Sequence, residues 1–219
     1  MNLRMEPTRI AELLSPFLDQ SDDGRLTTND LQHISTYIDI LLRWNARMNL
    51  TAIRSKEEIV TRHFGESFFA ARHLFPRISL NTSVPLADIG SGAGFPGIPI
   101  KLWAPEIALT LIESNQKKAT FLREVVRVLK LTNVNIENAR AETFPPATFN
   151  VVTVRAVERF ADVLPAAARL LAESGRLALL IASSQLAAAH SLSTGMSWDQ
   201  PIPIPGSRSR IVLVGRQHR

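Results

Sequence analysis

VPLADIGSGAGFPGIPIKLW, residues 84–103, reads as a strand, a glycine-punctuated turn and the start of a helix. An apolar run leads to Asp88, then Gly90, Gly92 and Gly94 mark the turn. Pro96 suits the first turn of a helix, where its missing N–H costs nothing. Glycines at such a turn let the backbone enter positive φ and leave room for a ligand against the main chain. A tight turn without a ligand is the plainer alternative. The strand before, the helix after and the acid in the strand's last turn favour a ligand. Two ligand classes use this geometry. GAGFPG, residues 92–97, satisfies the G-x-G-x-x-G pattern that seats a dinucleotide pyrophosphate at a helix N-terminus. That register starts late, because the strand ends near Ile89. The register that begins at Gly90, with Asp88 just ahead, fits S-adenosylmethionine better, since its methionyl part packs against the loop and needs no pyrophosphate cradle.

Working outward, LTLIES ends a second strand at Glu113, about the distance across one βαβ unit at which an acid accepts hydrogen bonds from ribose hydroxyls. From Val84 onward apolar strands alternate with helical stretches, which predicts a mainly parallel sheet covered on both faces. Strands are expected at 84–89, 107–112, 133–137, 149–154, 176–182 and 210–215, and helices at 96–103, 116–130 and 158–173. Between Ser183 and Pro205 a short helix and a further strand near 197–204 are expected. From Glu6 to Pro76 the pattern is helical. Ile10, Leu13, Leu14 and Phe17 form one amphipathic run; Leu31, Ile34, Ile38, Leu41, Leu42 and Trp44 form a second, with Thr27, Thr28 and Asn29 as capping candidates. A third helix is expected from Lys56 to His73, and Pro76 to Pro85 reads as a connection. The division is therefore a helical extension, 1–76, and a sheet domain, 77–219, joined in one continuous core.

Composition bounds the partners. The 219 residues include no cysteine, which excludes disulfides and thiolate metal sites and suits a reducing compartment. No run of about 18 apolar residues is present, so no membrane span is expected. MNLRMEPTRIAELL lacks the apolar stretch and small-residue cleavage site of a secretory signal. A cytoplasmic protein is expected. The formal charge of +5 favours a polyanionic partner. Lys117, Lys118, Arg123, Arg127 and Lys130 crowd one segment and Arg208, Arg210, Arg216 and Arg219 the last one. These are either solvated faces or a rim that meets RNA. His33, His73, His190 and His218 show no metal-ligand spacing, and no metal site is expected.

The ordered set VPLADIGSGAGFPGIPI, LIESNQKKATFLREV, NARAETF and VRA, with WNARMNLTAI (44–53), RHF (62–64) and IPGSRSRIVLV, resembles the RsmG-type small-subunit rRNA guanine-N7 methyltransferases, also called glucose-inhibited division protein B. The resemblance covers nearly the whole chain. It implies an α/β fold with a Rossmann-like sheet binding S-adenosylmethionine, an N-terminal helical extension, and methylation of a guanine in 16S ribosomal RNA. It also implies that Asp88, Gly90, Gly92 and Phe95 build the cofactor pocket, that Glu113 holds the ribose, and that Ala141 and Glu142 meet the adenine. Arg155, after the fourth strand, would stand between cofactor and RNA as the catalytic residue. Arg47, Arg62, His63, Lys117, Lys118, Arg208 and Arg210 would face RNA of the small subunit. Plainer roles compete: Phe95 as a core aromatic, Glu142 as a solvated acid, Arg155 as a partner for Glu158, and His63 in capping or packing.

The chain also departs from the family pattern. Gly65, Glu66 and Ser67 stand where Leu-Asp-Ser is usual, LLIASSQ carries no lysine where a Lys-Gly pair is common, and Asn150 replaces a common aspartate. Arg208 and Arg210 compete for one family arginine. Three rival readings are a nicotinamide-dependent oxidoreductase, for which no catalytic constellation is visible, a non-catalytic rRNA-binding or assembly factor, and a methyltransferase acting on a small metabolite.

Overall fold

The computed structural model describes residues 4–19, 26–76, 83–157, 159–192 and 195–217. The centre is an eight-stranded sheet of order β3-β2-β1-β4-β5-β8-β6, with β7 also on β8. The strands are β1 (Pro85–Ile89), β2 (Ala108–Ile112), β3 (Val134–Glu137), β4 (Phe149–Arg155), β5 (Leu171–Ala182), β6 (Met196–Trp198), β7 (Ile202–Pro203) and β8 (Arg210–Gln217). β1 to β5 pair in parallel, and β8 runs antiparallel to β5, β6 and β7. The strand order reverses between β1 and β4, whose carboxyl ends, Ile89 and Arg155, border the crevice where such sheets hold ligands.

Strand residues alternate between two cores, as a period of two requires. Leu86, Leu109, Leu111, Val151, Ala178, Leu180, Val212 and Val214 face one core. They meet α5 (Gly97–Trp103), α6 (Gln116–Val128) and the N-terminal helices there. Ala87, Ile89, Val152, Val154, Leu177, Leu179, Ile211 and Leu213 face the other, under α7 (Phe160–Leu170) and α8 (Leu186–Leu192). The three-layer α/β expectation holds.

The N-terminal part contributes α1 (Pro7–Leu14), followed by a 3-10 turn, Ser15–Phe17, and then α2 (Thr28–Asn45). Of the three capping candidates Thr27 is the cap. Its hydroxyl accepts from the Asp30 N–H at 3.2 Å, while Asp30 Oδ2 accepts from the Thr27 N–H at 2.8 Å. Ile34, Tyr37, Ile38 and Leu41, at helical spacing, are buried. The third helix runs as α3 (Lys56–Glu58), a π-helical stretch, Ile59–Gly65, and α4 (Glu66–Leu74). Its extent matches the expectation; the widened middle, which carries Arg62 and His63, has no signature in the apolar pattern. Such wide turns recur at functional sites.

Several boundaries differ from expectation, among them the strand expected at 176–182, which already begins at Leu171, and the helix expected at 116–130, which ends at Val128. The helix expected to 173 stops at Leu170, because Leu171 already pairs with Phe149 and Ser174 turns the chain at φ 60°. The strand expected near 197–204 is split into β6 and β7, both on β8. The last strand continues to Gln217. Most of the expected connection, 77–82, with Glu158 and Arg219, lies outside the described residues.

Candidate active site

The glycine turn is held from below and from the side. Gly90 and Ser91 donate to the Ile112 carbonyl at 2.9 and 3.2 Å, which presses the loop onto the end of β2. Gly90, Gly92 and Gly94 lie at φ 65°, 56° and 83°, a region in which a side chain would be strained. At Gly94 an added carbon would also meet the Tyr37 hydroxyl and Ile98. Tyr37, from α2, donates that hydroxyl to the Ala93 carbonyl at 2.5 Å. Asp88 sits beneath the loop, 1% exposed. Its Oδ2 accepts from the Gly97 N–H at 3.2 Å and its Oδ1 from the Thr153 hydroxyl at 2.8 Å. Burial pushes its pKa up to about 6, against the pull of these hydrogen bonds. Asp88 is thus placed to hold the turn from inside, without lining the hollows above it.

Glu113, 6% exposed, closes the end of β2. One carboxylate oxygen accepts from the Gly92 N–H at 2.9 Å and the other from the Asn115 N–H at 2.8 Å. Each oxygen keeps a second acceptor site for a hydroxyl. Two hollows meet at Gly90. The first, 220 Å³, is lined by Ile89, Ile112, Ser114, Ala141, Glu142 and Val163, among others. Its far wall is fixed by Arg169, which donates to the carbonyls of Glu142 and Phe144 at 3.1 and 2.8 Å. The second, 280 Å³, lies between Thr51, His63, Gly92, Phe95, Lys118 and Arg155.

The second hollow has an aromatic floor and a charged back wall. Phe95 is stacked with Tyr37 at 5.3 Å and with His63 at 4.7 Å, and belongs to the core as well as lining the hollow. His63 Nε2 lies 2.8 Å from the Thr51 hydroxyl. Thr51 is itself held by Asn45, whose Oδ1 accepts from the Leu50 and Thr51 N–H groups at 2.8 and 3.1 Å. That pinning is the physical content of the WNARMNLT segment. Burial, then the positive charges of Arg155 and Arg62, lower the His63 pKa to about 3. The ring is neutral near pH 7.

Arg155 donates to the Arg62 carbonyl at 2.6 Å and to Glu66 Oε2 at 3.2 Å. Glu66, 2% exposed, also accepts from Arg210 at 2.7 Å on its other oxygen. One buried carboxylate therefore joins α4, β4 and β8. The partner of Arg155 is Glu66, while Glu158 is outside the described residues. Of the two competing arginines, Arg210 reaches this cluster and Arg208 is exposed on the preceding turn. Sequence reasoning missed Glu66 as a site residue: it stood out only as a departure from Leu-Asp-Ser, although an acid is retained. Gly65 has its own reason, because a Cβ there would fall 2.5 Å from the Phe17 ring.

The remaining basic candidates are spread around this mouth. Lys118 lines the hollow with Arg155, Arg62 is exposed on the π-helical stretch, and Arg47 and Lys117 border a separate cleft between α2 and α6. Among the described residues no helix is long and apolar enough to cross a membrane, and no cluster of three or more His, Asp or Glu could hold a metal.

The parallel sheet closed by antiparallel β8, with a glycine loop after β1 and an acid after β2, defines a Rossmann-like methyltransferase fold. A ribosomal protein L11 methylase from Lactobacillus delbrueckii subsp. bulgaricus has this fold, with a TM-score of 0.57 and 17% identity over 70% of this chain and 80% of that one. The family GidB, rRNA small subunit methyltransferase G, matches residues 30–204, and the chain belongs to it. A Ribosomal RNA small subunit methyltransferase G of Desulfitobacterium hafniense is 40% identical over 75% of this chain and 68% of its own length. One from Xylella fastidiosa is 43% identical over 64% of each chain.

Proposed function

We propose that this chain moves the methyl group of S-adenosylmethionine to N7 of a guanine in 16S ribosomal RNA, within the small subunit or its precursor, in the cytoplasm. The observation that carries the reading is the pair of hollows meeting at Gly90. The smaller suits adenosine, with Ala141 and Glu142 at the adenine and Glu113 accepting from the ribose. Gly90 to Phe95 would hold the methionyl part, and the hollow of Arg155, His63 and Lys118 would receive the acceptor beside the methyl donor.

Guanine N7 offers a free lone pair in the neutral base. It attacks the methyl carbon as the carbon–sulfur bond breaks, leaving S-adenosylhomocysteine and a cationic base. No proton has to be removed first, so no general base is required. His63, its basicity lowered by burial and its Nε2 already held by Thr51, agrees with a reaction that works by positioning. Arg155 would orient the acceptor, with Glu66 fixing its guanidinium. Asp88 would shape the loop without touching the ligand.

The test is single-turnover methylation of small-subunit rRNA, with the product guanine mapped by chain cleavage at N7-methylated sites. The rate is expected to stay flat between about pH 6.5 and 8.5. A rate that rises tenfold per pH unit and vanishes in His63→Ala would replace this mechanism with base-assisted transfer to another atom. A nicotinamide enzyme is disfavoured by the late register of GAGFPG, and calorimetry comparing NAD with S-adenosylhomocysteine decides between them.

A further inference from the structure

The separate cleft between the end of α2 and the first turns of α6 shares no lining residue with the two hollows. It measures 430 Å³ and is lined chiefly by Arg43, Trp44, Arg47, Met48, Lys117 and Glu124. Glu124 accepts from Arg43 at 2.5 Å and from the Trp44 indole N–H at 2.9 Å. One carboxylate thereby neutralises Arg43 and fixes the rotation of the indole, whose other side meets Phe121 edge-on at 5.8 Å and 69°. Arg47 and Lys117 are exposed and have no ion-pair partner among the described residues. A rigid half-buried indole, a thioether and two free cations are thus gathered in one concavity.

We propose that this cleft holds a nucleotide of single-stranded RNA adjoining the one that is methylated, its base stacked on Trp44 and its phosphates on Arg47 and Lys117. The inference rests on the RNA substrate assigned above and adds a second point of attachment to it. Aromatic faces beside cations are the general means of holding unpaired bases, because every base has a π face and every nucleotide a phosphate. A-form duplex keeps its bases stacked and its major groove deep and narrow, so it cannot offer one to the indole. The cleft and the Arg155 hollow are lined from neighbouring positions of the same two segments. Lys117 lines one and Lys118 the other, and Trp44 to Met48 leads within a few residues to Leu50 and Thr51. A strand passing over this shared rim would place neighbouring nucleotides in the two concavities.

The three tryptophans make the proposal readable in the intact protein. The probe is hexauridylate, titrated while the indole N–H resonances are followed. Trp44 is expected to shift, whereas Trp103, buried with its N–H on the Phe75 carbonyl at 3.1 Å, stays in place. Trp44→Leu should weaken hexauridylate binding about tenfold or more, and Trp44→Phe much less, as stacking on the ring requires. Arg47→Ala and Lys117→Ala should each lower the salt slope by roughly one unit. S-adenosylhomocysteine binding by the Trp44 variants checks that the fold is intact. No shift of Trp44 in the wild type, or equal affinity in a folded Trp44→Leu, overturns the cleft. So does a shift produced by hexaglutamate and absent with hexauridylate. If rRNA is methylated but Trp44 is silent, the cleft alone fails. If Trp44 responds but no rRNA is methylated, the cleft stands and the assigned activity fails.

Discussion

His63 and Asp88, one above the glycine loop and one below it, leave opposite marks on stability. The folded His63 resists its proton down to about pH 3, against 6.5 for the free side chain. The stability it contributes is present above pH 6.5 and is lost as pH falls from 6.5 toward 3. Asp88 titrates near 6 in the fold, against 3.8 when free. Its protonated form stabilises below 3.8, and that contribution is lost as pH rises to about 6. Compared with wild type, His63→Phe should therefore melt with a flatter acid limb below pH 6.5. The stability of wild type relative to Asp88→Asn should decline from pH 4 to 6. Thermal unfolding at several pH values checks both, and parallel curves for variant and wild type would remove either group from the account. Asp88→Ala is a harsher case. It leaves the Gly97 N–H and the Thr153 hydroxyl without their acceptor, at about 1–3 kcal/mol for each buried group, and should weaken S-adenosylhomocysteine binding along with stability.

Between elements, the contact with most at stake is the buried carboxylate of Glu66, which ties α4 to β4 and β8. Glu66→Ala strands Arg155, 13% exposed, beside Arg210 with no counter-charge, a change that costs about 3–5 kcal/mol when such pairs are broken. Turnover should fall as well. Glu66→Asp should recover more activity than Glu66→Gln, since the charge matters and a slightly shorter arm can be accommodated. A second joint is Gly65 against Phe17: Gly65→Ala should cost about 1–3 kcal/mol by overpacking, and Phe17→Leu in the same chain should return part of it. Denaturant midpoints of the two single variants and the double variant measure that coupling. These joints explain what the sequence conceals. Strands, glycine turn and the acid of β2 announce themselves through period, positive-φ residues and local order. Glu66 lies 89 residues from Arg155 and 144 from Arg210, and no local pattern connects them. The π-helical stretch is likewise set by packing, and the apolar spacing of Ile59, Val60 and Phe64 gives no sign of it.

Across the whole molecule, one hydrophobic core runs from Ile10 of α1 through Tyr37 and Phe68 to Val214 of β8. A chain lacking the helical extension would expose the apolar side of the sheet, so residues 77–219 alone are expected to be insoluble or molten, and the full chain to unfold in a single transition. Coincident melting by circular dichroism and tryptophan fluorescence would show it; a well-separated early transition in the helical part would contradict it. The positive balance of the chain has its own signature: affinity for small-subunit RNA should fall steeply with salt, and a flat dependence would dissociate the basic rim from RNA binding. Its basic residues were visible in the sequence, but their sorting into mouth, neighbouring cleft and exposed turn required the fold. The hydroxyl of Tyr37 reaches from the helix that carries Trp44 to the carbonyl of Ala93 in the glycine loop. Cofactor and RNA, bound as proposed, would therefore share a mechanical part. If RNA draws α2 toward itself, the seat of the cofactor is altered, and reciprocity then obliges the cofactor to change the affinity for RNA by the same factor. An enzyme so built would register, before any bond is broken, whether both of its guests have arrived.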